Sequence, residues 1–206
     1  APDGSLHVID MYREVIEHPM SLPSEIKRHL DLTSGRDRGR IYRIVPKGYR
    51  HRPTPDLGRT STSALVELLA HENAWHRETA ARLLYERQDP AAVEPLRQLI
   101  VSSESSLARL HALYSLDGMR ALDQASLRRG LRDPHPQVRR HALRLLQTQN
   151  GLLGIDNTGL NRSAAGMTED LSIEVRYQLG FMIGTIDDDS LRRQVLRRLV
   201  QRDGED

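Results

Sequence analysis

From residue 61 onward, apolar residues recur with the period of an α-helix. Leu65, Leu68 and Leu69 fall on one predicted helical face. A later helix is predicted to begin at Asp89, because an aspartate that caps the helix and is followed by proline favours a helix start. The pattern therefore predicts a mainly α fold for the last two thirds of the chain.

The first part of the chain alternates apolar and polar residues instead. Residues 6–12 (LHVIDMY) predict one strand, and residues 39–48 (GRIYRIVPKG) predict a second strand with one buried face. Two strands bury too little apolar surface to be stable alone, so they must either complete a sheet whose other strands lie elsewhere or pack on the helices, and we favour the first arrangement. Proline and glycine between 50 and 60 indicate a linker. The predicted domains are therefore 1–49, 50–60 and 61–206.

An internal repeat emerges when the second helices of the predicted helix pairs are aligned. The interval between repeats is 32, 30 and then 37 residues, which is the length of two helices and two short turns. A repeat of this length predicts a solenoid, in which each helix pair packs only on its neighbours. One arginine marks each repeat: Arg77, Arg109, Arg139 and Arg176.

The turn at residues 133–139 (DPHPQVR) resembles the turn of HEAT-like repeats. In that family an aspartate of the turn faces an arginine early in the second helix. The position six residues before the repeat arginine is Asp133 or Asp170 in the third and fourth repeats, but His71 and Ser103 in the first two. The resemblance therefore implies only a partial series of Asp–Arg pairs.

A last amphipathic helix is predicted after the helix-start sequence at 187–190 (DDDS). No second helix follows it, so we expect an incomplete fifth repeat with an exposed apolar stripe. The predicted fold class is mainly α: a HEAT-like α-solenoid of about four helix pairs plus one unpaired helix, preceded by a small β segment. We expect the four repeat arginines to tether neighbouring repeats through turn carbonyls and carboxylates. The alternative is an arginine ridge for an acidic partner.

Composition excludes several kinds of chemistry. The 206 residues include no cysteine, which rules out disulfides, thiolate zinc sites and covalent c-type haem attachment within this chain. The nine histidines lack the spacing of metal ligands, so no metal site is expected. A formal charge of +2 is nearly balanced and argues against nucleic-acid binding. No apolar run approaches the roughly 20 residues of a membrane span.

The first segment also resembles a known family. Residues 3–10 (DGSLHVID) and 39–44 (GRIYRI) resemble the closing blade of β-propellers of the glucose/sorbosone dehydrogenase class. Together with residues 10–19 and 31–40, they are similar to a membrane-bound dehydrogenase-like family. In that family HEAT-like repeats follow the propeller, and a c-type cytochrome domain often comes next. The resemblance implies a fragment of an exported, periplasmic or envelope-associated parent, a sugar-type dehydrogenase that uses a quinone and c-type haem.

Three functions remain open at this point. The first is a non-catalytic scaffold that binds a protein partner or neighbouring domains of the same polypeptide. In the second, a loop beyond the first strand helps to form a quinone- or sugar-binding site completed by missing propeller blades; the candidate residues are Arg13, Glu14 and His18. A structural, ion-paired loop is the alternative role for these residues. The third function is nucleic-acid binding by a helical repeat, and it is the weakest of the three.

Overall fold

The computed structural model describes residues 1–13, 15–16, 18–51, 53–150 and 156–204. The chain divides into two compact units, Ala1–Pro55 and Asp56–Asp206. The first is a β-hairpin with a long connection, and the second is a stack of helices. Both strands belong to the first unit, and all the helices of the stack belong to the second.

The first unit is built on two antiparallel strands, β1 (Leu6–Asp10) and β2 (Arg40–Ile44). Leu6 lies opposite Ile44 in the register, and Asp10 lies opposite Arg40. A short helix, α1 (Ser24–Lys27), lies in the connection between the strands. The prediction that the second strand has one buried face is wrong for this chain, because every residue of β2 is exposed. The described part of this unit supplies no further strand to cover that face.

A close backbone contact joins the two ends of this connection. Gly35 has φ +75°, and a Cβ at this position would lie 1.8 Å from the Tyr12 carbonyl oxygen, so only glycine fits here. The Tyr12 ring lies under the guanidinium of Arg40, whose Cζ is 4.6 Å from the ring centroid. The contact places the residues just after β1 beside those that lead into β2.

The second unit consists of helices that pair in sequence order. The helices in its described residues are α2 (Thr62–Leu68), α3 (Ala74–Arg87), α4 (Val93–Ser102), α5 (Ser106–Gly118), α6 (Gln124–Leu131), α7 (Pro136–Asn150), α8 (Thr158–Ala165), α9 (Ile173–Ile183) and α10 (Asp189–Asp203). The pairs are α2/α3, α4/α5, α6/α7 and α8/α9, and α10 follows them. We call α3, α5, α7 and α9 the second helices; each packs on the next in the stack. The predicted mainly helical solenoid is confirmed.

One continuous aliphatic core runs through the stack. Its fully buried members repeat from one helix pair to the next, as Leu84, Leu116, Leu146 and Ile183 show. Side-chain caps define many of the helix starts; the Ser61 hydroxyl, for example, accepts a hydrogen bond from the Ala64 amide at the start of α2. In the described part of the chain, no helix has the length and apolar character needed to cross a membrane.

The beginning of the stack lies inside the segment predicted as a linker. A 3₁₀ turn at Leu57–Arg59 belongs to the helical unit, and the Leu57 side chain is only 6% exposed. Arg87 at the end of α3 holds this turn, because its Nη1 donates to the Thr60 carbonyl at 2.6 Å and its Nη2 to the Gly58 carbonyl at 2.8 Å. The proline and glycine content of this segment predicted a linker and gave no indication that Leu57 is buried.

Candidate interaction surface

Each second helix carries near its start one arginine that binds the preceding turn. The Nη1 of Arg109 donates to the carbonyls of Ser103 at 2.8 Å and Glu104 at 3.1 Å. These carbonyls lie just before the helix, where no helical N–H group can reach them. The other repeat arginines bind the carbonyl six residues before them in the same way: Arg77, Arg139 and Arg176.

The same guanidinium groups also join consecutive repeats. Arg109 makes a bidentate pair with Asp133 of the next turn, with Nε–Oδ2 2.6 Å and Nη2–Oδ1 2.8 Å. This fork geometry uses the planar guanidinium fully. Two further pairs share the geometry, with distances of 2.6 to 2.8 Å: Arg139–Asp170 and Arg176–Asp203. We call these three pairs the Arg–Asp ladder.

The first pair of the ladder, Arg109–Asp133, is buried and ionised. Asp133 is 3% exposed and Arg109 is 7% exposed. Burial acts to raise the pKa of Asp133, but hydrogen bonds from Arg109 and the His135 amide outweigh it, so the pKa lies below that of a free aspartate. At the end of the ladder, the hydrogen bonds from Arg176 likewise lower the pKa of Asp203. The ladder therefore remains charged at neutral pH.

Within the described ranges, Arg77, the first repeat arginine, has no carboxylate partner. Ser103 occupies the position that Asp133 and Asp170 hold in later repeats, and its hydroxyl accepts a hydrogen bond from the Ser105 amide. The Nε of Arg77 is buried without a hydrogen-bond partner among the described residues. The first joint of the stack therefore lacks the ion pair that the following three contain.

Asp203 is a ladder residue that the repeat alignment did not identify. The alignment used the repeat arginine as its marker, and no such arginine follows Asp203. A signal was nevertheless present, because Arg202-Asp203 stands at the end of an amphipathic helix, and Arg132-Asp133 stands just after one. Asp203 thus occupies the turn position of a fifth repeat.

Polar side chains also pair between neighbouring second helices. The Tyr114 hydroxyl lies 2.7 Å from Nδ1 of His141, and the Gln178 amide donates to Gln147 at 3.0 Å. Burial, followed by the nearby positive charge of Arg77, lowers the pKa of His111, the counterpart of His141. These histidines lie at the joints between repeats, where His141 contacts Tyr114 of the preceding second helix.

The fourth repeat presents a different surface. Ile173, Tyr177 and Phe181 form a stripe along the outside of α9, and Tyr177 is 67% and Phe181 55% exposed. The two aromatic rings contact edge to face, with centroids 5.0 Å apart. Between this stripe and Leu199 of α10 lies a groove of about 470 Å³ with Gly180 in its lining. We call the stripe, the groove and the neighbouring apolar residues of α10 the open face.

Gly180 is the residue that makes room for this groove. It stands four residues after the repeat arginine, where the second and third repeats have Leu113 and Leu143, both fully buried. A Cβ at position 180 would meet only Leu199 Cδ1, at 4.0 Å. The groove therefore has room for a side chain at position 180, where glycine has none.

The predicted loop residues form hydrogen bonds within the first unit. Arg13 donates from Nη2 to the Leu32 carbonyl at 2.8 Å, and His18 accepts at Nδ1 from the Met20 amide at 3.2 Å. Glu14 lies outside the described residues. Arg13 therefore bonds across the connection between the strands, whereas His18 bonds to a residue two positions further along the chain. Within the described part of the chain, no three His, Asp or Glu side chains are grouped so that they could hold a metal ion.

Comparison with known protein families agrees with this geometry. Residues 62–147 match the family of HEAT repeats. Residues 1–48 match a domain of unknown function, DUF7133. A comparison with curated proteins finds none with significant similarity to this chain. The predicted HEAT-like character of the repeats is therefore confirmed, and these helical repeats follow a small β-hairpin unit in the sequence.

Proposed function

We propose that this chain is the non-catalytic, protein-binding scaffold of a larger exported protein, and that it binds through the open face. The observation that carries the proposal is the exposed Tyr177–Phe181 stripe beside the empty groove. Contiguous exposed apolar surface of this kind marks protein–protein contacts, and aromatic anchors dominate their energy.

The repeats themselves favour binding over chemistry. The Arg–Asp ladder and the aliphatic core fix each helix pair against the next, so the open face is presented on a rigid support. The repeat arginines use their donors on turn carbonyls and carboxylates inside the stack. They therefore act as tethers, and an arginine ridge for an acidic partner is not the arrangement that these contacts support.

The larger protein belongs to the proposal as well. The hairpin exposes apolar residues along both strands, including Ile9 and Ile41, as expected for two strands of a larger sheet. With the helical repeats following the hairpin in the sequence, this arrangement supports a parent of the exported, propeller-containing dehydrogenase type. Because the chain has no cysteine, covalent c-type haem attachment would belong to other domains.

A photo-cross-linking experiment tests the binding function. A photoreactive side chain replaces Phe181 in the full-length protein inside the producing cells, and a matched variant carries it at Tyr85, an aromatic position of similar exposure (59%) on α3. We expect position 181 to cross-link to one defined polypeptide or to a neighbouring domain, and position 85 to give no such product. Equal products at both positions, or none at 181, would sink the proposal. Recovery of the protein from the cytoplasmic fraction of the same cells would contradict export.

A further inference from the structure

A polar pocket lies where the fourth repeat meets α10. Its walls come from the end of α7, the first turn of α8, and the connection from α9 into the start of α10. The cavity measures about 180 Å³, which is the share of roughly six water molecules in the liquid. Most of its described lining side chains are polar, and they include Asp156, Asp187 and Asp188. We call it the aspartate pocket.

Asn157, in the lining of this pocket, begins α8 without capping it. The equivalent helices on either side in the stack, α6 and α10, begin with Asp123 and Asp188, whose carboxylates accept hydrogen bonds from helical amides. The Asn157 side chain makes no such bond. Asp156, one residue earlier, accepts a hydrogen bond from the Thr158 amide at 2.9 Å instead. The Asn157 side chain is therefore released from the capping role that its position has in the neighbouring repeats.

The Asn157 side chain is also a buried polar group without a partner. The residue is 5% exposed, and its amide nitrogen has no hydrogen-bond partner among the described residues. An unpaired buried donor is costly, and native proteins rarely keep one without a bound molecule or a functional reason. A molecule in the pocket that presents a hydroxyl oxygen supplies the missing acceptor.

Hydrogen bonds between helices hold the walls of the pocket in place. The Asn150 side-chain amide donates to Asn161 Oδ1 at 2.9 Å and to Thr185 Oγ1 at 3.2 Å. These two bonds join the end of α7 to α8 and to the residues after α9. Gln124 of α6 donates from its side chain to the Asp156 carbonyl at 2.6 Å. A ligand therefore meets a preformed site, which lowers the ordering cost of binding.

The charge around the pocket is mainly negative. Three aspartates line it, and Arg162 is the only basic side chain among the described lining residues. Asp156 is ionised at neutral pH, because hydrogen bonds from the hydroxyl and the amide of Thr158 lower its pKa. Asp187 is exposed and forms no hydrogen bond or ion pair with the described residues, so its carboxylate is available to a ligand. Such a lining attracts a cation.

The aspartates suit an organic cation better than a metal ion. Calcium or magnesium needs several oxygen ligands that converge within about 2.0–2.6 Å of one point. In the described part of the chain, no three acidic or histidine side chains are grouped in that way. An ammonium group has three donors and sits about 2.7–2.9 Å from each oxygen, so it can bond to carboxylates that lie further apart.

We infer that the aspartate pocket binds a small hydroxylated organic cation, with its ammonium group among the aspartates and a hydroxyl oxygen on the Asn157 amide. Amino alcohols of about six non-hydrogen atoms match the volume of the pocket. This binding goes beyond the protein contact proposed at the open face. The two sites share none of their described lining residues.

Three molecules of nearly equal size test the inference. Serinol is an amino diol, glycerol has a hydroxyl in place of its amine, and glycerate is an anion with the same carbon chain. An NMR titration of the full chain follows the amide signals of the lining residues. We expect serinol to bind at least about tenfold more tightly than glycerol, and glycerate to give no saturable shifts. Added salt should reduce this preference, because it screens the attraction between the charges.

Substitutions separate the two parts of the site. Asp187→Asn removes one negative charge at an exposed position and should weaken serinol binding about threefold while leaving glycerol binding unchanged. Asn157→Ala removes the unpaired amide and should weaken both molecules by similar factors. Glu104→Gln, which removes an exposed charge outside the pocket, is the matched control and should change none of the titrations. Should Asn157→Ala disturb folding, Asp187→Asn tests the site on its own.

Several results would overturn the inference. They are equal binding of serinol and glycerol, binding of glycerate as tight as that of serinol, or no saturable shift at the lining residues with any of the three. Serinol binding that neither Asp187→Asn nor Asn157→Ala weakens would place the amine elsewhere and would overturn it as well. The cross-linking result at Phe181 is independent. A partner found there without serinol binding leaves the scaffold function standing and removes only the pocket's ligand.

Discussion

The two ends of the helical stack are finished in different ways. At the first end, the Leu57–Arg59 turn covers the end of α3, and Arg87 binds its carbonyls. At the other end, Tyr177, Phe181 and Val200 are all more than half exposed. Among the described residues, the first end buries its apolar side chain Leu57, whereas the second end exposes several apolar side chains. The two ends therefore differ in how much apolar surface a partner or a neighbouring domain could contact.

The largest expected change in stability comes from the buried interior of the stack, which lies between the two ends. Asp133→Ala leaves Arg109 buried without its ion-pair partner, and we expect it to lower the free energy of unfolding by about 3–5 kcal/mol. Urea unfolding followed by circular dichroism measures the change. Asp187→Ala removes an exposed aspartate and should cost less than about 0.5 kcal/mol.

The pH dependence of the stability difference between the wild type and Asp133→Ala is an additional check. The folded-state pKa of Asp133 lies below the free value of 3.8, so its pair stabilises the fold above that pH and is lost as the pH falls through the lower folded value. The gap between the wild type and Asp133→Ala should therefore narrow below about pH 4. A gap that stays constant to lower pH would show that the ion pair is not its source.

A matched pair of leucines compares the ends directly. Leu57→Ala removes a side chain that is 6% exposed and should cost about 2–3 kcal/mol. Leu196→Ala, at the open end and 42% exposed, should cost less than about 1 kcal/mol. Thermal melting of both variants measures the difference. Equal losses would mean that the open end is packed as tightly as the closed end, and the comparison would be wrong.

The smallest expected effect is a gain in stability at the joint between the first and second repeats. Ser103→Asp places a carboxylate where Asp133 and Asp170 stand in later repeats and gives the buried Nε of Arg77 a partner. It can also accept the Ser105 amide hydrogen bond that Ser103 accepts now. We expect a gain of about 1 kcal/mol in the free energy of unfolding. Ser102→Asp, one residue away on exposed surface, is the control and should give no gain; a loss of stability in Ser103→Asp would show that the joints differ in geometry.

Much of the fold could be predicted from the spacing of apolar residues, because the buried face of a helix recurs with the helical period. The repeat arginines were identifiable for the same reason: each fixes the turn six residues before it. The exposure of Tyr177 and Phe181 was not predictable, since apolar residues at i and i+4 look the same whether a helix covers them or not. The burial of Leu57 was not predicted, because a single buried residue among prolines forms no repeating apolar pattern.

The measurement closest to the central claim is photo-cross-linking from position 181 compared with position 85 in the full-length protein. The two sites carry aromatic side chains of similar exposure, so the comparison isolates the open face. We predict a defined protein adduct at 181 and none at 85. The same products at both sites, or no product at 181, would contradict the claim that the open face is a binding surface.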